Sequence, residues 1–210
     1  MFKQKLGTFN LLNSEELPDK YNTSSIQDVD VALLSGGYVW SRSTSFLPFV
    51  SLGLEYARYF SGKISGFIED YSSHEDIHFG YHYQLSHHNL HLLGKANLYC
   101  WRGWMPYIVA GIGMSWNQFT TYDESKLSML DSEHINPYFP NKAKSNLSYS
   151  LGVGVDYQLT KNIWSGLGYR YNNFGQITSG ESVKHFSEGQ FLKDRNSGYD
   201  IFFSLRYIFS

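Results

Sequence analysis

The stretch Ser145–Phe174, SNLSYSLGVGVDYQLTKNIWSGLGYRYNNF, restricts the fold more than any other. From Leu147 to Leu159 every odd position is apolar or aromatic: Leu147, Tyr149, Leu151, Val153, Val155, Tyr157 and Leu159. Every even position is small or polar: Ser148, Ser150, Gly152, Gly154, Asp156 and Gln158. A period of two puts the first set on one face of an extended chain and the second on the other, whereas a helix would scatter both around its axis. After the polar turn Thr160-Lys161-Asn162, Ile163, Leu167, Tyr169 and Tyr171 oppose Gly166, Gly168, Arg170 and Asn172. The stretch reads as an antiparallel hairpin whose strands, roughly ten or more residues each, are long enough to cross a bilayer at a tilt.

The same pattern recurs along the chain. Asp28–Trp40 reads as a strand whose phase changes around Gly36-Gly37, where a bulge would reconcile its halves. Val50, Leu52, Leu54 and Tyr56 oppose Ser51, Gly53, Glu55 and Ala57; Leu90, Leu92, Ala96 and Leu98 oppose His91, Lys95 and Asn97. Ile108, Ala110, Ile112, Met114 and Trp116 oppose Gly111, Gly113, Ser115 and Asn117, and the chain closes on Tyr199, Ile201, Phe203, Leu205, Tyr207 and Phe209. Short turns near 41–48, 101–104 and 160–162 alternate with long polar segments at 61–86, 118–144 and 175–198, which read as loops, the first of them extending its flanking strands past the membrane surface before it loops. That rhythm is the one outer-membrane barrels use, with short periplasmic turns and long external loops. Residues 1–28 are polar and turn-rich and read as an N-terminal loop-like segment, the first external loop, with at most a short strand around Lys5–Leu12; residues 29–210 read as the barrel domain.

Composition bears on what the apolar faces meet. Charged residues make up 17% of the 210, and the net charge is −2, which argues against a nucleic-acid partner. The single cysteine, Cys100, excludes an internal disulfide framework. No apolar run reaches the length of a transmembrane helix, and Met1–Tyr21 carries no apolar signal region. The polar face is mostly Gly and Ser, with sparse charges of both signs: Glu55, Lys95, Asp156, Arg170, Asp200 and Arg206. A water-exposed face would carry more Lys and Glu and less Gly, whereas a crowded barrel interior needs small residues and paired charges. The apolar face therefore points to lipid and the six charges are expected to form a network in the lumen. An eight-stranded lumen is filled by side chains, so no open channel is expected.

The segments YIVAGIGMSWN, SYSLGVGVDYQLTKNIWSGLGYRYNNFG and IFFSLRYIF resemble the last four strands of the OmpA-like, opacity-type small outer-membrane β-barrels of Gram-negative bacteria. The resemblance runs over roughly residues 28–209 and implies an all-β, antiparallel up-and-down transmembrane barrel of the eight-stranded family in the cell outer membrane. It further implies outer-membrane lipids and the barrel-insertion machinery as partners, with a host or surface ligand for the external loops. Seven good strands are present, so the first strand and an export signal are expected upstream of Met1, with Lys5–Leu12 as the alternative first strand. Members of this kind end on the aromatic residue that marks them for insertion, and here Ser210 follows Phe209.

Other motifs point to chemistry. His74-Glu75-Asp76-Ile77-His78 spells the zinc-protease signature, but without the helix that would put both imidazoles on one face. Six of the eight histidines fall between 74 and 91, and headgroup or loop positions account for them without a metal. Ser86, His87 and His88 suggest a lipid-modifying enzyme, but no third acid–base group is spaced to join them. Gly111-x-Gly113, Gly152-x-Gly154 and Gly166-x-Gly168 do not continue into a helix and read as lumen positions that relieve crowding. No catalytic residue, metal site or cofactor is assigned. The leading expectation is a non-enzymatic outer-membrane barrel with a structural or surface-interaction role. The alternatives are a small outer-membrane lipid-modifying enzyme and a soluble ligand-binding barrel.

Overall fold

The apolar–polar alternation becomes strand in every long segment of the computed structural model, which describes residues 2–5, 9–11, 19–26, 29–69, 78–126, 139–182 and 191–209. The strands are β1 (Phe2–Lys5), β2 (Phe9–Leu11), β3 (Asp19–Ile26), β4 (Val31–Ser41), β5 (Phe46–Glu69), β6 (His78–Tyr99), β7 (Trp104–Lys126), β8 (Lys142–Gln158), β9 (Ile163–Thr178) and β10 (Lys193–Tyr207). Seven long strands, β4 to β10, run up and down, each antiparallel to the next. The far edge of β5 is shared. Its Phe49–Tyr59 part pairs with β4, and its Ile64–Glu69 part pairs with β3. At the opposite border β1 pairs with Ser197–Asp200 of β10, and β2 pairs with β3. Among the described residues Ile201–Tyr207 of β10 and all of β4 pair along one edge only, so strand pairing does not close the sheet over its full height.

The turns at one end are tight. Trp101 and Trp104 exchange both backbone hydrogen bonds, at 3.0 and 2.9 Å, around Arg102 and Gly103. Both central residues have positive φ, 50° and 86°, the pair of angles a two-residue hairpin needs to match strand twist. In the β8–β9 turn Thr160 Oγ1 accepts hydrogen bonds from the Asn162 and Ile163 amides. Asn162 also clasps the end of β10 through two bonds to Ile208, each 2.8 Å.

Three expectations need correction. The segments 118–144 and 175–198 are not loops throughout: β7 reaches Lys126, β8 begins at Lys142, β9 ends at Thr178 and β10 begins at Lys193, while at 61–86 the flanking strands extend as expected, β5 to Glu69 and β6 from His78. Polar residues such as His82, Gln84 and Gln118 lie on the outward face of the continuing strands. Gly36-Gly37 carries no bulge, since β4 and β5 stay in one register from Val31↔Tyr59 to Ser41↔Phe49. These glycines instead allow close approach: a Cβ on Gly37 would lie 2.4 Å from the Cα of Gly53. The described residues of 1–28 form β1, β2 and β3, where a loop with at most a short strand around Lys5–Leu12 was expected.

The sheet has two storeys with opposite dress. Near the tight turns apolar side chains point outward, as on β10, where Phe203 is 72% exposed, and polar ones point inward. Nearer the long connections the inside is apolar: Ile64, Ile68, Tyr81, Tyr83, Leu85, Phe119, Tyr122, Phe139, Ile177 and Leu192 form one buried cluster. On β6 the switch falls between His87 and Leu85 without a change of phase. Irregularities mark the same level on other strands: between Tyr59 and Gly62 on β5, at Thr121 (φ 54°) on β7 and at Gly175 (φ 77°) on β9. An extra residue there changes which side chains face inward and bends the strand, which is how bulges re-aim a wall.

Candidate functional site

The inward face of the first storey is a stack of polar layers. Nearest the tight turns Asp156 of β8 gathers three partners. Lys95 Nζ reaches its carboxylate at 2.8 Å, Asn97 Nδ2 donates to Oδ2 at 3.0 Å, and Arg206 stands 3.8 Å away. Lys95 also sits 3.4 Å over the Tyr107 ring. The next layer centres on Arg170 of β9, whose side chain is 1% exposed. It donates to Glu55 Oε1 at 2.5 Å, to Asp200 Oδ2 at 3.1 Å through Nη2, and to Asp200 Oδ1 at 3.4 Å through Nε. Tyr59 donates a further bond to Asp200 at 3.0 Å.

The six charges named from the alternation thus lie as two triads, Lys95–Asp156–Arg206 and Glu55–Arg170–Asp200, each bridging strands far apart in sequence. Three cations balance three anions. A buried charge is tolerated when paired and hydrogen-bonded, and the Arg170 fork meets both carboxylates in the geometry that makes such bonds strongest. The facing glycines provide the room. A Cβ on Gly168 would lie 2.4 Å from the Phe202 ring, and one on Gly154 would lie 2.4 Å from both the Leu167 carbonyl and the Tyr107 ring.

Above the triads lies an uncharged layer. His91 Nε2 and Ser148 Oγ are 2.7 Å apart, and Ser115 and Asn117 donate to the Phe174 carbonyl at 2.6 and 2.9 Å. Asn196 joins Asn117 at 3.1 Å. Tyr59, His87 and Phe174 then close the polar storey as packed rings, with centroids 4.1 to 5.0 Å apart. Over them sits the apolar cluster, where burial, with Tyr81 and Asp194 nearby, holds the Tyr83 phenol well above its ordinary range. Among the described residues, buried side chains thus occupy the inward face at each of these levels.

Among the described residues the histidines do not converge on one point. His74, Glu75 and Asp76 lie outside the described residues. His87 and His91 are buried inside, while His82 and His88 lie on the alternate face. Ser86, His87 and His88 likewise split: Ser86 and His88 are partly exposed on the outer wall, and His87 is inside. Tyr59 and Phe174 do not stand out in the sequence, and Asn97 does so only as a polar-face neighbour of Lys95. Their signal was only the inward phase they share with Glu55, Lys95 and Arg170, because a neutral side chain on a polar face looks like filler until its partner is known.

The outer wall shows what surrounds this lumen. Tyr149 and Tyr157 bracket Leu151, Val153 and Val155 on β8, and Tyr199 and Tyr207 bracket Ile201, Phe203 and Leu205 on β10. Rings meet across strands at the upper edge: Tyr149–Tyr171 at 6.3 Å, Tyr171–Tyr199 at 5.2 Å and His88–Trp116 at 5.3 Å. Trp104–Tyr157 at 4.7 Å belongs to the lower edge. Eight to twelve strand residues separate the two belts, about 20–30 Å along the normal at the usual tilt, which matches the apolar band of an outer-membrane barrel. An apolar outer band between aromatic belts, around a polar and charge-balanced lumen, defines a transmembrane β-barrel of the outer membrane.

Residues 55–190 match the Opacity family porin protein family, and the chain belongs to it. It is 29% identical over 104 residues to the 22 kDa outer membrane protein of Rhizobium leguminosarum bv. viciae, a match covering 50% of this chain and 46% of that protein, so the chain spans about half the length of that relative. A structural likeness to Neisserial surface protein A covers 90% of this chain and 99% of that one at 12% identity, with a TM-score of 0.36.

Proposed function

We propose that the protein is a non-conducting, non-enzymatic barrel of the outer membrane. Its tight turns face the periplasm, and the connections 70–77, 127–141 and 179–192 are displayed outside for a structural or surface-interaction role. The observation that carries this reading is the lumen: Arg170, Glu55 and Asp200 are locked in a buried triad under the Tyr59–His87–Phe174 rings. An eight-stranded barrel has an interior just wide enough for such filling. Long, variable connections on a rigid scaffold are where binding functions reside. The enzymatic alternative finds little support, since Ser86 and His88 point away from His87 and build no nucleophile–base pair. A soluble barrel would put charge where Leu54, Ile112, Val153 and Phe203 stand exposed.

Two measurements test the reading. Purified protein in planar bilayers is expected to give no steady conductance step. Protease added to intact cells is expected to cut within 127–141 while sparing the Trp101–Trp104 turn. Regular unitary conductance, or cleavage at Arg102 from outside, would refute it.

A further inference from the structure

We propose that the outer wall of β5, β6 and β7 carries a binding site for a phosphate-bearing lipid headgroup, centred on Arg58 and His88. These residues are directly opposed Cα partners at the upper aromatic belt, immediately above the apolar band. Arg58 is exposed, its guanidinium lies 5.5 Å over the Phe60 ring, and no described carboxylate pairs with it. His88 is flanked by the Tyr56 ring at 6.1 Å and the Trp116 ring at 5.3 Å. One row higher, Ser61 donates to Gln84 Oε1 and Ser86 donates to Gln118 Oε1, each at 3.3 Å. Both glutamines spend their carbonyl on a neighbour and keep their amide N–H groups for an outside acceptor. The patch therefore combines a fixed cation, an imidazole and surplus N–H donors, above a wall of Leu54, Leu90 and Met114 that suits acyl chains. Of the described exposed carboxylates nearby, Asp123 stands opposite His82, farther from the bilayer, and Asp30 lies just before β4 beside Phe60, whose amide donates to the Asp30 carbonyl at 3.1 Å; neither pairs with Arg58.

The chemistry selects a lipid phosphate over a free one. Guanidinium and amide donors match phosphate oxygens, while the aromatic rings and the aliphatic wall below offer a free anion nothing. The orientation proposed above decides only that the lipid is met in the outer leaflet. Protease accessibility tests that orientation separately, and the experiment that follows does not depend on it.

The test counts lipid retained by the detergent-folded barrel in native mass spectrometry. The probes are bisphosphorylated lipid A, its dephosphorylated form, and orthophosphate as competitor. Wild-type protein is expected to retain the phosphorylated lipid about tenfold better, the scale of one or two charge-assisted hydrogen bonds. R58Q/H88Q is expected to lose that preference, R58K to keep most of it, and K161Q, a cation in the opposite turn, to keep all of it. Each variant is first checked for the heat-modifiable gel shift of a folded barrel, and R58Q alone carries the test if the double variant does not fold. Equal retention of both lipids by wild type, an unchanged preference in R58Q/H88Q, or stripping of the lipid by equimolar orthophosphate would overturn the proposal.

Discussion

Replacing Arg170 with Leu is the sharpest test of how the lumen is held. Arg170 makes three charge-assisted bonds to Glu55 and Asp200, with its side chain 1% exposed and those of the two carboxylates 9% and 2% exposed. Leucine removes the cation and leaves two anions in a space closed to water by Phe202 on one side and Tyr59 on the other. Breaking a buried pair in this way costs about 3–5 kcal/mol, because the uncompensated charge keeps its desolvation penalty. A loss of about 4 kcal/mol lowers the folded-to-unfolded ratio roughly a thousandfold. Urea unfolding of the vesicle-inserted barrel, followed by its tryptophan fluorescence, measures this directly. The triple variant R170L/E55Q/D200N is expected to recover a large part of the loss, since neutralising the stranded carboxylates removes the penalty. The opposite result is a stable R170L that opens a conductance step in bilayers. It would mean that Arg170 plugs a pore and is not needed to hold the wall.

Three further outcomes follow from other parts of the molecule. Val153, 56% exposed midway between Tyr149 and Tyr157, faces lipid, so V153R should cost about 2–4 kcal/mol in vesicles, whereas a water-facing position would tolerate it. Gly154→Ala drives a Cβ against the Leu167 carbonyl and the Tyr107 ring and should cost about 1–3 kcal/mol, while Gly94→Ala meets nothing within 4 Å and should stay within about 0.5 kcal/mol in the same unfolding assay. Tyr83 is held neutral by burial, with a pKa in the folded state above the unfolded value of about 10. The folded state then keeps a proton that the unfolded state loses, so stability should fall as pH rises past about 10. Tyr83→Phe should blunt that fall in a pH series of unfolding midpoints.

Much of this architecture is legible in one dimension because a strand's faces follow from period two alone. Leu151, Val153 and Val155 could face nothing but the side opposite Gly152, Gly154 and Asp156, and the Gly, Ser and sparse paired charge of that opposite face placed the apolar side in lipid. The rule was harder to use at 61–86 and 175–198. There Tyr81, Tyr83 and Leu85 alternate with His82, Gln84 and Ser86 as regularly as in any spanning strand, but with the apolar side chains inward. Polar residues on an outer wall above a membrane have the same composition as a loop, so strand character stayed hidden at 118–144 and 175–198 and was expected only as an extension of the flanking strands at 61–86. Bulges at Thr121 and Gly175 compounded this by shifting the phase within single strands.

The number of long strands, the tight turns, the two faces of the hairpin and the six charged residues that share the inward phase all follow from local alternation. Which of those charges meet is a matter of how the strands are assembled. Glu55 and Arg170 are 115 residues apart, Lys95 and Asp156 are 61 apart, and each pairing depends on how the sheet curls across its lumen. That assembly also decides that the barrel's inside turns from polar to apolar above His87. The physical reason is the same in both cases. Alternation is a local property of the backbone, but whether a face is concave, and what stands across from it, follows from curvature and register summed over the whole sheet.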